Sequence, residues 1–451
     1  MHPLQPLTIL TIPIELAHHI LSFCDPGDVI AFCRTCHAAF EIIQDDYLWQ
    51  QLWHAYPFDD PQLVGTHRQA VHLPKISVMS PFGDSWKAQF IRRMRAEHVA
   101  LKKREHYSSL SVKQKKAALQ VFVSVLDQAL PAIVGDGLVG KPLDIEVSDD
   151  FQWVQQVLSR SRLIAPVLQS LEDEEEISEL QARVRSYLDD YEWGGRTRRA
   201  LSDRRNRSRA FVYDLRNYSQ KNNYGPYHAD GTVNWIHVEN IANVILSNLR
   251  ELPIHFALTT QPPSGLESLR PYSAPGKYSS RDWAGERGVD TFASWTIEIF
   301  LFSDVADGPL HPNFFEDPRF REATRLIEVR LHIVPESQIR FYPPSEIEPS
   351  ASLKHPITFF HGTSKGVNGN EAVVEGYVRV ATDGSVRWRL LSIYDNSPQW
   401  SSCGLQIGDV GSARGGVGVW TTTTHEQGDP VGPFWFWKVE DDCSEELVEY
   451  T

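Results

Sequence analysis

Cysteine is scarce, with five in 451 residues. So sparse and odd a set builds no disulfide framework and fits a reducing compartment. No run approaches the roughly 18 apolar residues of a membrane span, so none is expected. The opening stretch MHPLQPLTILTIPIEL has no basic region, long apolar core or small-residue cleavage site, so no secretory leader is expected. The sequons at Asn206 and Asn217 are then expected to stay bare, in the cytosol or the nucleus. Positive charge is also short: 44 Lys and Arg stand against 58 Asp and Glu, a net charge of −14. That balance argues against a general binder of nucleic acid or of anionic membrane. There is no internal repeat.

Aromatic residues are plentiful, with 13 Trp and 21 Phe, and most of the Trp lie beyond Asn234. With 41% apolar residues the chain can bury a sizeable core. Its length suggests about two to three structural units.

Residues 11–56 read as short helices with tight breaks. Pro13 suits a first helical position, and Leu16, Ile20 and Phe23 share one apolar face. In Asp25-Pro26-Gly27-Asp28 a second helix starts, capped by Asp25 and favoured by the negative charge of Asp28. Val29, Phe32, Cys36, Phe40 and Ile43 continue an apolar stripe, and Leu48, Trp49, Leu52 and Trp53 form a third cluster. Helical patterns recur over 85–130, 151–190 and 238–251. Residues 258–282, rich in Pro, Ser and Gly, read as a linker or long loop.

After Trp283 the period becomes two. Strands are expected at 293–302, 325–334, 356–361, 373–382, 385–394, 402–408, 416–424 and 433–439, with Asp383-Gly384 as a tight hairpin. Val386, Trp388 and Leu390 alternate with Arg387 and Arg389, which predicts a buried face and a polar face. Short antiparallel strands punctuated by glycine suggest a barrel or sandwich.

The segment IPIELAHHILSFCDPGDVIAFCRTCHAAFEIIQDDYLWQQL resembles the F-box. The order and gaps carry the match: Ile12-Pro13, Glu15, Leu16, Ile20-Leu21, Asp25 to Asp28, Cys33-Arg34 and Leu48-Trp49. The resemblance implies three small helices docked on the Skp adaptor of a cullin-based ubiquitin ligase. Ile12, Pro13, Leu16, Ile20, Leu21, Asp28, Leu48 and Trp49 are then the candidate adaptor contacts. A unit this small buries too little apolar surface to be robust alone, so a covering partner is physically reasonable. His18 and His19 are expected on the solvated face. Three later segments, WAGERGVDTFASWTIEIFLFSD, DGSVRWRLLSIYD and WSSCGLQIGDVGSARGGVGVWTTTTHEQGDPVGPFWFWKV, resemble fungal F-box-type proteins. The last is distantly similar to the barrel of F-box proteins that recruit cell-cycle and damaged-protein targets.

Several motifs point elsewhere and fail on context. Cys33-Arg34-Thr35-Cys36-His37 matches a haem-attachment pattern, but no export signal accompanies it, and Cys33 and Cys36 are expected in the helical core. Cys24 with His37 is a poor zinc set. Gly135 to Gly140 matches GxGxxG, yet a helical run precedes it and Pro142 follows. Gly362-Thr363-Ser364-Lys365-Gly366 matches a nucleophile elbow, but a turn and a strand follow where a helix is required. The arginines from Arg196 to Arg209 read as a solvated face, or as a nuclear-import or acidic-partner patch that could also pair with Glu172 to Glu176.

The expected architecture is α+β: an F-box (1–60), a helical middle (61–257), a linker (258–282), an antiparallel β-barrel (283–440) and an acidic tail (441–451). The expected function is non-catalytic. The Skp adaptor and cullin scaffold bind one end and a target protein binds the barrel, with no cofactor or metal. Arg387, Arg389, Arg414, His425, Trp435 and Trp437 are the candidate target contacts. Trp435 and Trp437 alternate with Phe434 and Phe436, so both faces of their strand are aromatic, which core packing against covering helices explains as well as a target groove does. The alternatives are a small-ligand-binding barrel carrying an F-box, and a serine hydrolase built on Ser364.

Overall fold

A computed structural model describes residues 8–450 apart from 72, 74–84, 108, 135–140, 143–146, 166–174, 189–196, 251–261, 277–281, 285–289, 299–310, 318–322, 343–346, 367–368, 370, 427 and 440–448. The GxGxxG run at 135–140 lies outside these residues.

The N-terminal unit starts with α1 (Ile14–Ser22), entered from Pro13. Asp25 Oδ1 accepts from Gly27 N at 2.8 Å and opens α2 (Pro26–Cys33). The stripe expected to run on to Ile43 breaks at Arg34–Cys36. There Cys36 Sγ accepts from Ala39 N at 3.5 Å and caps α3 (His37–Ile42). Cys36 is therefore exposed and Cys33 only half-buried, not core residues as expected. Asp45 caps α4 (Asp46–Ala55). His18 is a second correction, because it is 3% exposed. Its Nε2 lies 2.8 Å from Ile42 O, so the ring satisfies a backbone carbonyl at the end of α3.

Helices α5 (Pro61–Ala70), α6 (Trp86–Ala100), α7 (Arg104–Tyr107) and α8 (Val112–Asp127) follow, then a small ribbon of β1 (Ile133–Val134) and β2 (Lys141–Pro142). Next come α9 (Asp149–Leu158), α10 (Glu175–Leu188), α11 (Arg198–Val212) and α12 (Trp235–Leu249). Leu48, Trp49, Leu52 and Trp53 of α4 belong to one core with Phe90 of α6 and Trp153 of α9. The Arg93 guanidinium lies 4.4 Å from the Trp53 ring and is paired with Asp150. The N-terminal unit is thus anchored to the helical middle by aromatic packing.

At that junction the Asp59 carboxylate accepts from Ser148 Oγ at 2.6 Å and from Asp149 N at 3.0 Å. Burial, and then the neighbouring Asp150, push its pKa up to about 6. A carboxyl raised on folding costs stability while it is ionised. The cost is full above about pH 6 and disappears as the pH falls towards the unfolded value near 4. Asp59→Asn should therefore raise the melting temperature at pH 7.5, and the gain should shrink at pH 5. Scanning calorimetry at both pH values checks this, and an equal gain at both would contradict it.

The second half contains β3 (Asp290–Glu298), β4 (Ala323–Val334), β5 (Thr358–Lys365), β6 (Glu371–Val380), β7 (Val386–Tyr394), β8 (Ser397–Gln406), β9 (Gly416–Thr422) and β10 (Val431–Lys438). Each expected strand is present, with ends shifted by a few residues. Each of these eight strands pairs antiparallel with the next along the chain, and β10 pairs back with β3. These pairings close an up-and-down barrel, and β11 (Glu449–Tyr450) adds to β4. Eight strands give an interior that side chains just fill or that holds one small ligand. Asp383-Gly384 makes the β6–β7 hairpin, with Gly384 at φ +82°.

Along β7, Val386, Trp388 and Leu390 belong to the interior cluster with Phe360, Phe434 and Phe436. The odd-numbered residues of β8, β9 and β10 point outward: Cys403, Leu405, Val417, Val419, Trp435 and Trp437 share a core with Val238, Ile241 and Ile245 of α12. Gly404 and Gly418 face each other across β8 and β9, and the Phe434 ring lies close over both. A Cβ on Gly418 would meet that ring at 2.7 Å. The described part of 258–282 is not a loose linker. Tyr272 N donates to Val410 O and Ala274 N to Gly411 O, and Tyr272 and Trp283 join the interior cluster.

Candidate functional site

The first candidate surface is the outer face of α1. Leu16, Ile20 and Phe23 recur at helical spacing and are 52%, 47% and 79% exposed. Leu10 and Ile14 extend the apolar row, and Phe40 and Tyr47 add exposed rings from α3 and α4. Such a row on a small helical unit is a surface suited to a partner. Pro13 and Asp28 are exposed and Ile12 is half-buried. Leu21, Leu48 and Trp49 are not available as contacts. They are 3%, 0% and 0% exposed and form the core behind the row, with Trp49 Nε1 donating to Ile43 O at 2.8 Å.

The barrel candidates divide in the same way. Trp435 and Trp437 are buried between the barrel and the helices, and Trp435 Nε1 donates to Arg414 O. Arg414 is 1% exposed, donates to Pro263 O at 3.2 Å, and is brought down to about 9 by burial. Arg387 is 8% exposed and is held by Asp383, by Gly231 O at 2.6 Å and by the Tyr227 ring at 4.3 Å. A target protein cannot reach these four side chains while the helices stay docked. Arg389 and His425 remain half-buried at the outer surface. The His425 ring stacks on Tyr224 with centroids 3.7 Å apart, and both residues have left-handed backbones, with φ of +52° and +53°. Left-handed backbone at bulky residues stores strain. Burial, and then Arg389, pull His425 below the usual histidine range.

Ser364 sits inside β5, paired with Ala372 of the following strand. A strand, not a helix, follows it, so the elbow geometry is missing. Ser364 instead lines a cavity in the barrel interior, of about 140 Å³. Its walls are aromatic: Trp388, Trp400, Trp420, Phe434 and Phe436. Ser364, Ser392, Ser402 and Tyr394 add hydroxyls, and Arg325 a guanidinium. A ligand-binding barrel calls for such a cavity, but none of its lining residues is among the candidate contacts. The signal for it was the inward series of β7, which runs Trp388, Leu390, Ser392, Tyr394 and so turns polar towards one end. A second cavity of about 220 Å³ lies between helices and barrel, and its carboxylates are paired: Arg183 with Asp127 at 2.8 Å and Arg68 with Asp409 at 2.7 Å.

Among the described residues no cluster of His, Cys, Asp and Glu could hold a metal ion, and no helix is long and apolar enough to cross a membrane. A family model described as F-box-like matches residues 9–55, the segment that carries the exposed row. No curated protein and no solved structure matches the chain.

Proposed function

We propose that this chain is the target-recognition subunit of an SCF-type cullin-based ubiquitin ligase, working in the cytosol or nucleus. The observation that carries the reading is the exposed row of Leu16, Ile20 and Phe23 within the segment that matches the F-box-like domain. An F-box-like domain suggests a ubiquitin-ligase adaptor role in general. In this reading the row docks on the Skp adaptor, which joins the chain to the cullin, and the barrel captures a target protein. The chain then contributes proximity rather than bond chemistry: it raises the effective concentration of the target near the ubiquitin-carrying enzyme. Arg389 and His425 are the proposed target contacts that solvent still reaches. The continuous packing from α4 through α6 and α9, and from α12 to the barrel, would fix the distance and angle between the two ends.

The test compares the tagged full-length chain with a Leu16→Asp/Ile20→Asp variant in cells treated with a proteasome inhibitor. Both should retain the same target proteins, and only the unaltered chain should retain Skp and cullin. Without inhibitor, those targets should persist longer in cells expressing the variant. Equal target turnover in the two lines would remove the ligase reading. The second reading, a barrel that binds a small ligand, is favoured by the interior cavity.

A further inference from the structure

Arginines that the fold encloses are held here by carboxylates. Arg68 pairs with Asp409, Arg93 with Asp150, Arg183 with Asp127 and Arg185 with Glu239. On the outer face of β6 and β7, Arg379 pairs with Glu348 and Arg387 with Asp383. Arg389 differs. It lies on the same outer face, directly across from Tyr377 of β6 and Cys403 of β8, and is half-buried. Its guanidinium makes no hydrogen bond and no ion pair among the described residues. The neighbours that act on it most strongly are Cys403, Tyr342, Tyr377 and Tyr227, with no carboxylate among them. Its nitrogens are nonetheless open to solvent rather than sealed. The chain has 58 Asp and Glu against 44 Lys and Arg, so an enclosed cation left without an acid is unusual in it.

We propose that Arg389 receives the carboxylate of an aspartate or glutamate side chain of the target protein, so that this part of the barrel's outer face selects an acidic segment. The site rests on the reading of the barrel as the target-binding end. A guanidinium is a planar fork that takes a carboxylate through two parallel hydrogen bonds. One carboxylate balances the one unpaired charge. Arg379 and Arg387 beside it are already neutralised, so a dianion such as phosphate would leave charge uncompensated in a half-buried place. The loop before α12 and the β9–β10 turn frame the site. Gly225 packs so closely on Cys403 that a Cβ would meet its sulfur at 2.6 Å. The charge of Arg389 acts on the His425 ring, which stacks on Tyr224. The left-handed backbones of Tyr224 and His425 hold that pair in place, and strain of this kind clusters at clamps around ligands.

The test pans a phage-displayed library of random peptides against the purified full-length chain, then against Arg389→Gln and Arg389→Glu. Peptides selected by the unaltered chain should share an acidic position. Arg389→Gln should lose that preference, and Arg389→Glu should select Lys or Arg there instead. One selected peptide is then made with its acid, with the matching amide and with phosphoserine, and binding is followed by fluorescence anisotropy. The amide should bind the unaltered chain about ten- to a hundredfold more weakly than the acid, the worth of a charge-assisted pair. Phosphoserine should also bind more weakly than the acid. Arg389→Gln should bind acid and amide equally, and its melting temperature should not fall, because the fold loses no ion pair. The proposal fails if the peptides share no acidic position, if acid and amide bind equally, or if either variant keeps the acidic preference. A lower melting temperature in Arg389→Gln would make the residue structural and overturn it too. Tighter binding of phosphoserine would overturn the carboxylate assignment. Peptides whose binding ignores Arg389 would remove this site and leave the target-receptor reading standing, whereas no selected peptide at all would remove both. The comparison of acid with amide uses the unaltered chain, so it stands even if a variant does not fold.

Discussion

Leu16→Asp combined with Ile20→Asp should abolish binding to the Skp adaptor and leave the melting temperature of the free chain unchanged. Both side chains are about half exposed in the free protein, so little packing is lost. Surface changes of this kind stay within about 0.5 kcal/mol. At an interface the same residues each contribute about 1.5–3 kcal/mol. Losing both, with a charge buried in their place, should weaken binding by at least a hundredfold. Calorimetric titration with the purified adaptor measures the first quantity and scanning calorimetry the second. Leu21 is the contrast. At 3% exposure it is core, so Leu21→Ala should lower stability by about 2–5 kcal/mol, and any loss of docking would be secondary.

Trp388→Ala should cost about 3–5 kcal/mol, a large part of the stability of an ordinary domain. The ring sits 5.8 Å from Phe360 and 5.1 Å from Phe436, centroid to centroid, so it joins β5, β7 and β10 through the barrel interior. Its Nε1 donates to Gln406 Oε1 at 3.1 Å, and truncation leaves that buried oxygen without its donor. Because Trp435 and Trp437 join the barrel to α12, the unfolding should spread to the helical middle in one transition. Leu353→Ala, at a fully exposed side chain, should change nothing measurable. Urea unfolding followed by tryptophan fluorescence checks both variants.

The barrel was legible because its strands alternate. Val386, Trp388 and Leu390 face inward and Arg387 outward, as the period of two requires. The eventual surroundings of Arg387 were not legible. Its partners include Gly231 O, 156 residues away in sequence, and no local pattern announces that a distant loop will cover an outward-facing strand residue. Trp435 and Trp437 were legible as packing against covering helices, and the pattern left open only which helix covers them, which is α12. His18 was misplaced for a related reason. A polar residue beside an apolar stripe reads as solvated until a carbonyl such as Ile42 O needs a partner there. At the docking face the apolar spacing of Leu16, Ile20 and Phe23 was readable, but not which apolar residues would be consumed by the core. Leu48 and Trp49 were, and Leu16 and Ile20 were not. The walls of the cavity were hidden because side-chain pattern gives direction and not packing.

Docking through the N-terminal unit is what would make this chain part of a ubiquitin ligase. The most direct measurement mixes the purified full-length chain with the Skp adaptor and determines molar mass by light scattering during size-exclusion chromatography. A single complex with one copy of each partner is expected, lost in the Leu16→Asp/Ile20→Asp variant. Two separate peaks for the unaltered chain, or an undiminished complex with the variant, would contradict it.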